Sequence, residues 1–586
     1  MCGIAGIITK DGSAADCAIL QAMRDALLHR GPDGSAIWSE GPIGLVHTRL
    51  AIIDLSSGDH PIILEDGSVL VGNGEIYNYV EIATAQQAAG RFHKTGADFE
   101  PALMMLAEKG VRGTADWSGM YASASVDGKG VVCLARDPFG IKPLSLVETD
   151  RYLAFASEPR ALIAAGLVRA DVDALSRTML LQGQYIPEPR SIFRGVRRIF
   201  KGAAWSIQGA DINRSHTNPW LCEETAAPPS TMDEAVEALD PVLERSVRMH
   251  QRSDAPYGMF LSGGIDSSCL LTMMARLNEN PVIAYTCGFS DGSAPDERPA
   301  AATVAKACSA EHCEIDFTGD DFWAVLPQVA WAFDEPVADY AILPTWALAR
   351  EARRDVKVVL SGEGGDEIFG GYGRYRKAIR PWPLGKRPKT KGLFRGRTAL
   401  LDKDNHWMRP FRDATTASHR QYADRLQAAQ AADINGWLPA DLLLKLDRAL
   451  MAHGVEGRTP FLDPQVAAFG FPLPRKFKFE NNLGKAVLRY WLAKHCPAAD
   501  AFARKKGFTV PVGDWISRRA AQAGGLVSAT EGVREICRPE TVRNLFHAFD
   551  RRRARQAWAL LFWAVWHKVH IEGVDPKRDT FELLQA

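Results

Sequence analysis

The sequence predicts two domains: an α+β half built on an antiparallel β-sandwich with helices, then an α/β half built on a parallel sheet with a helical extension. Three observations predict it. The chain has 586 residues, too long for one ordinary domain. Its first ~210 residues are rich in short apolar runs closed by turn residues, the spacing of an antiparallel sheet with few helices. After them strand-like and helix-like segments alternate, as in a parallel, helix-covered sheet. Hydrophobic residues make up 46% and charged residues 24%, in the range of globular proteins. Lys and Arg number 70, as do Asp and Glu, so the net charge of 0 excludes a whole-molecule electrostatic partnership with nucleic acid or an anionic membrane.

Taken in order, GIAGIIT, GPIGLVHTRLAIID, GSVLVGNGEIY, GVVCLARD and YLAFAS read as strands. One helix is predicted from Ala14 to Leu28, before HRGPDG breaks it. Near HTNPWLCEETAAPPSTMD the pattern fades into a linker, which places the domains at 1–212 and 234–586 with a connection over 213–233. APYGMFL, PVIAYTCGF and KVVLSG then read as strands, and DSSCLLTMMARL and RPAAATVAKAC as helices. From about residue 420 the pattern is mostly helical. The run AWALLFWAVW, residues 557–566, falls short of the roughly 20 apolar residues of a membrane span and reads as a buried helix. The basic stretch 385–397 reads as a solvated loop. MCGIAGIITKDG lacks the basic start and long apolar run of a secretory signal. Ten cysteines without a dense framework fit a reducing compartment, so a cytoplasmic location is expected. Cys308, His312 and Cys313 have no second Cys/His pair to complete a tetrahedral metal site.

Cys2 is the first residue with chemistry. If Met1 is removed, a thiol and a free α-amine share one residue, a nucleophile beside its base. Alone, Cys2 reads first as a small buried cysteine in a first strand. It is accompanied by HRGPDG at 29–34, Arg49 in HTRLAIID, Asn73-Gly74-Glu75 in GNGEIYN and Asp98 in KTGADFE. In this order these segments resemble the glutaminase domain of class II glutamine amidotransferases, with an Ntn-hydrolase fold, over about 200 residues. The resemblance implies that Cys2 attacks the glutamine amide and forms a thioester. Asn73 and the Gly74 N–H would form the oxyanion hole. Arg49 would pair with the substrate α-carboxylate, Asp98 and Glu75 would receive its α-ammonium, and Leu50, Ile52 and Ile53 would line the pocket. Where the family often has Ser before this Asp, the chain has Ala97.

SGGIDSS, Ser262 to Ser268, lies between a predicted strand and helix. Its glycines let the backbone approach phosphate, and N–H groups at a helix start favour an anion. It resembles the pyrophosphate loop of ATP pyrophosphatases. The chain lacks GxxxxGK[ST], which disfavours a Walker-type hydrolase. SGEGGDEIFGGY, from Ser361, adds Glu363, Asp366 and Glu367 in a Gly-rich loop, carboxylates suited to Mg²⁺ together with phosphate oxygens.

The pairing of the Cys2 constellation with both loops, LLLKLDRALMAHGVEGRTPFLD and GKAVLRYW resembles the glutamine-dependent asparagine synthetases over nearly the whole chain. That resemblance implies ATP as substrate and Mg²⁺ as its metal. Phe260, Leu261, Ser262, Gly263, Gly264, Asp266, Ser267, Ser268, Cys287, Ser361 and Gly362 would contact the nucleotide, and Asp266 and Asp366 would hold the metal. Glu363 would act as base when ammonia attacks an acyl-adenylate. Lys485 would stabilise the pentavalent phosphorus and the departing pyrophosphate. Expected partners are small molecules, namely glutamine, ATP and a carboxylate, with no nucleic acid and no membrane; a homodimer is carried over from the family. The acceptor is open. FDEPVADYAILPTWALAR has no Arg between Asp334 and Pro344, where some asparagine synthetases have one. Aspartate and another carboxylate (a peptide, sugar acid or secondary-metabolite precursor) are both kept. A non-catalytic scaffold role leaves Cys2, both loops and Lys485 without purpose, and a sugar isomerase would leave SGGIDSS without one.

Overall fold

The computed structural model describes residues 2–216, 229–380, 392–394, 405–504, 509–547 and 551–586. The N-terminal half is a sandwich of two six-stranded antiparallel sheets. Its strands are β1 (Gly3–Thr9), β2 (Gly34–Glu40), β3 (Ile43–Arg49), β4 (Ile62–Ile63), β5 (Val69–Ile76), β6 (Gly119–Val126), β7 (Val132–Arg136), β8 (Ser145–Glu148), β9 (Tyr152–Ala156), β10 (Val196–Arg198), β11 (Ala203–Gln208) and β12 (Asp211–His216). One sheet runs β10-β8-β9-β1-β3-β2 and the other β12-β11-β7-β6-β5-β4. Alternation along each strand sends Ile4, Ile8, Leu45, Val71, Ala122, Leu134 and Phe155 into one dry layer between the sheets. These strands match the runs predicted from turn spacing.

The expected helix is Cys17–Leu27, shorter than Ala14–Leu28 because Asp16 accepts from the Ala18 N–H and fixes its start. The expectation of few helices falls short. Tyr79–Ala88, Phe99–Lys109, Pro159–Ala164 and Ala174–Gly183 are helical as well. They are short, and tertiary burial holds the last three, whereas Tyr79–Ala88 buries only Gln86. Phe99, Ala102, Leu103 and Leu106 of the second are buried against the outer face of the β5–β6 sheet.

The C-terminal half carries a five-stranded parallel sheet, β13 (Tyr257–Phe260), β14 (Ile283–Gly288), β15 (Glu311–Asp316), β16 (Val358–Leu360) and β17 (Glu456–Arg458), in the order β15-β14-β13-β16-β17. β15 and β17 were not foreseen, since EHCEID carries charge and EGR is three residues long. Helices Ile265–Leu277 and Arg298–Ala307 cover the sheet as predicted. Residues 557–566 lie in the helix Arg551–His570 and are at most 1% exposed, a buried core helix. Among the described residues no helix is long and apolar enough to cross a membrane. Most of the expected linker and of the basic stretch 385–397 lies outside the described residues.

Candidate active sites

β1 pairs with β3 so that Gly3 lies opposite Thr48. This register sets Cys2, 9% exposed, beside Arg49. β5 brings Asn73, Gly74 and Glu75 to the same place. Gly74 has φ +131°, and a Cβ there would lie 1.9 Å from the Met120 carbonyl oxygen, so only glycine turns its backbone this way. Asp98 precedes the helix Phe99–Lys109, and its Oδ2 accepts from the Ile76 N–H at 2.7 Å. Cys2, Arg49, Leu50, Ile52, Ile53, Gly74, Glu75 and Asp98 all line one open cleft of about 370 Å³. Asn73 stands behind it, with Oδ1 3.3 Å from the Cys2 backbone N–H and Nδ2 3.5 Å from Ser157 Oγ.

Sequence spacing missed Gly58, His60, Gly72 and Phe99 in the same wall. His60 stacks on His47 with ring centroids 4.2 Å apart, and His47 Nε2 lies 3.1 Å from the Gly72 carbonyl oxygen. Arg49 bonds the Asp54 carbonyl and pairs with Asp59 at 2.9 Å, which ties the 54–59 loop over the cleft. Burial raises the Cys2 thiol above its usual pKa. Burial also raises Asp98, to about 7, and Glu75 well above the usual carboxylate range; neighbouring carboxylates add to both, and Arg458 opposes.

Arg458 belongs to the other half. Its guanidinium lies 3.3 Å from Glu75 Oε1, bonds Glu456, donates to the carbonyls of His250 and Arg252, and lies over the Tyr77 ring. A second seam runs through Arg30 of HRGPDG. Arg30 makes a bidentate pair with Asp447 at 2.8 and 3.0 Å, binds Glu158 at 2.7 Å and donates to the Cys2 carbonyl at 3.2 Å. Arg448 reaches Asp334 at 2.9 Å, Glu158 at 3.4 Å and the Ser157 carbonyl at 3.3 Å.

In the second site β13 ends at Phe260, and Leu261 to Gly264 form the turn into the helix Ile265–Leu277. Ser262 and Ser267 hydroxyls are 3.1 Å apart, and Ser262 Oγ accepts from the Gly264 N–H, which shapes the turn. Ser268 and Cys287 are buried nearby, Cys287 on β14. β16 delivers Ser361, Gly362 and Glu363. The two loops touch: a Cβ at Gly365 would lie 2.6 Å from Asp266 Oδ1. Lys485 Nζ joins them, pairing with Asp266 and, at 2.6 Å, with Asp366. Lys485 sits in the left-handed region, φ 61° and ψ 38°, a conformation that costs about 1–3 kcal/mol and concentrates at functional sites. Burial would lower its pKa, but Asp266 and Asp366 outweigh burial and raise it.

Lys445 was also missed by sequence reading. It lies 3.6 Å from Glu363 and 3.4 Å from Asp339. Burial raises the Glu363 pKa, and Lys445 opposes it. Burial and Asp366 push Glu367 up to about 8, and its Oε1 accepts from Tyr372 at 2.7 Å. Among the described residues no three His, Cys, Asp or Glu side chains cluster to hold a metal unaided. Asp266 and Asp366, brought together on either side of Lys485 Nζ, nonetheless suit Mg²⁺, which takes one or two carboxylates plus phosphate oxygens. His312 of the CSAEHC segment hydrogen-bonds Thr286.

The family model described as glutamine amidotransferase domain matches residues 1–220, and that of asparagine synthase matches residues 238–568. A putative glutamine-hydrolyzing asparagine synthetase of Mycobacterium tuberculosis is 33% identical over 98% of both chains. Asparagine synthetase 1 of Bacillus subtilis is 30% identical over 98% of this chain and 97% of its own. Asparagine synthetase B of Escherichia coli is 28% identical over 90% and 86%. A glutaminase-type sandwich joined to a parallel α/β sheet defines a carbon–nitrogen ligase with glutamine as amido donor. The chain belongs to the glutamine-hydrolysing asparagine synthetase family, whose members use ATP.

Proposed function

We propose that the chain makes asparagine from aspartate, glutamine and Mg-ATP. The observation that carries this reading is that one chain holds a Cys2–Asn73 pair in a cleft lined by Arg49 and Asp98, and two Gly-rich loops clamped by Lys485. The glutaminase unit runs from the N-terminus through β12 to His216, four residues past the expected boundary at 212, and the synthetase unit begins with the helix Met232–His250, just before the expected 234.

Arg49 holds the glutamine α-carboxylate, and Asp98 and Glu75 its ammonium. The Cys2 sulfur attacks the side-chain amide; ammonia leaves and a thioester remains, which water cleaves to glutamate. The Gly74 N–H and Asn73 Nδ2 stabilise the tetrahedral oxyanion, and the existing bond from the Cys2 N–H to Asn73 Oδ1 presents Nδ2 for that task. In the second unit the turn Ser262–Ser268 cradles phosphate, Phe260, Leu261 and Cys287 lie beside the adenine, and Ser361 and Gly362 border the nucleotide. Asp266 and Asp366 would hold Mg²⁺, which neutralises phosphate charge when bound. Aspartate's β-carboxylate attacks the α-phosphorus and pyrophosphate leaves, with Lys485 bearing the developing charge. Ammonia then adds to the acyl carbon, Glu363 takes a proton, and AMP departs.

The test is pyrophosphate release with glutamine and Mg-ATP, with and without aspartate, beside Cys2→Ala supplied with ammonium. Aspartate-dependent release with asparagine formed, lost with glutamine but kept with ammonium in Cys2→Ala, is expected. Intact glutaminase with no response to aspartate overturns the reading. The second reading, amidation of another carboxylate, is favoured by the segment 335–343, which has no Arg and brings Asp339 to Lys445 instead.

A further inference from the structure

The motif LLLKLDRALM has no task in the reaction as written, yet it holds two deeply buried charges. Asp447 and Arg448 are 3% and 2% exposed, on the helix Leu443–Met451 of the synthetase half. Both bond residues of the glutaminase half, Asp447 reaching Arg30 and Arg448 the Ser157 carbonyl. Asp447 accepts both terminal nitrogens of Arg30, and the remaining nitrogen of that guanidinium, Nε, donates to the carbonyl of Cys2. Arg30 is fully buried. With one edge fixed by Asp447 and NH1 shared with Glu158, its plane has no freedom to turn. Arg448 acts on the other member of the pair. It donates to the Ser157 carbonyl, and Ser157 Oγ meets both the Ile4 N–H and Asn73 Nδ2. Nucleophile and oxyanion donor are thus each one residue away from a charge supplied by the synthetase half.

Taking the glutaminase chemistry of Cys2 as proposed above, we infer that Asp447 is a positioning residue for it: through Arg30 it fixes the main chain that carries the Cys2 sulfur, so the glutaminase centre is complete only when the synthetase helix is docked. Such a residue touches no substrate. Its loss affects the attack geometry rather than glutamine binding, which rests on Arg49 and Asp98. Displacement of a reacting atom by about 1 Å costs on the order of a hundredfold in rate.

The experiment compares full-length wild type, Asp447→Asn, Arg30→Met and the double variant. Two activities are read, glutamate release from glutamine and ammonium-driven pyrophosphate release. Asp447→Asn is expected to lower kcat for glutamine hydrolysis about a hundredfold. The KM for glutamine should stay within about twofold and ammonium-driven release should persist. The double variant should lose no more kcat than Arg30→Met alone, because Asp447 acts only through Arg30. An unchanged kcat, a loss confined to KM, or additive losses overturn the inference. If Asp447→Asn is isolated unfolded, with both activities gone, Asp447→Glu, which moves the charge by one methylene, is read the same way. A wild type that releases no glutamate at all defeats the proposed function and not this positioning role, which the alkylation rate of the Cys2 thiol in Asp447→Asn then decides: a rate equal to wild type overturns it.

Discussion

The two candidate sites are built from different stock. Among the described residues the charged groups around the second, Asp266, Glu363, Asp366, Glu367, Lys485, Lys445 and Asp339 among them, come from the C-terminal half. The first borrows. Glu75 leans on Arg458, and Arg30 on Asp447, partners 383 and 417 positions away. The synthetase centre is self-sufficient, whereas the glutaminase centre is assembled only by docking. Ammonia-driven chemistry should therefore survive damage to the N-terminal half, while glutamine hydrolysis should not survive damage to the seam.

The largest expected effect tests the self-sufficient side. Lys485→Met removes a cation that joins both loops. Pyrophosphate release with either nitrogen source should fall about 10²–10³-fold, the scale of losing one preorganised transition-state donor, while glutamate release continues. A parallel loss of glutaminase would break the comparison.

A smaller effect sharpens the borrowing side. Asp98, raised to about 7, must be ionised to receive an ammonium, so the KM for glutamine should climb as pH falls below about 7, by roughly tenfold per unit. Arg458 lowers the pKa of both Asp98 and Glu75. Arg458→Lys keeps the charge but loses the fork that spans Glu456 and Glu75, so the climb should begin at higher pH. A KM profile identical to wild type would show that Glu75 needs no help from the other half.

The smallest effect is a control outside both sites. Thr318 caps the helix Gly319–Ala332 in a reciprocal box with Asp321. Thr318→Ala should cost about 1 kcal/mol in denaturant unfolding and leave both activities alone.

The division between legible and hidden residues follows the same line. Cys2, Arg49, Asn73, Gly74, Glu75 and Asp98 sit in short segments whose glycines and turns mark them, and the register of β1, β3 and β5 does bring them to one cleft. The loops at Ser262 and Ser361 were marked by the strands before them. Lys445 and Asp447 were hidden, since on a helix a charge normally faces water, and Arg458, legible as a residue of GVEGRTPFLD, gave no sign of its contact with Glu75. Only the folded chain shows that these are buried, Lys445 at the second site and Asp447 and Arg458 in the seam. The extra helices of the N-terminal half were missed for a related reason: packing against a sheet, not local periodicity, stabilises segments such as Pro159–Ala164.

The seam also bears on how such a chain is inherited. Arg30, Glu158, Asp334, Asp447 and Arg448 form one ionic patchwork away from water, with Arg458 and Glu75 a second. A recombination event that exchanged one half for that of a distant cousin would strand several of these charges without counterparts, each a cost of about 3–5 kcal/mol. The two catalytic modules therefore travel as a matched pair, and a glutaminase transplanted by an engineer needs its seam brought along with its cleft.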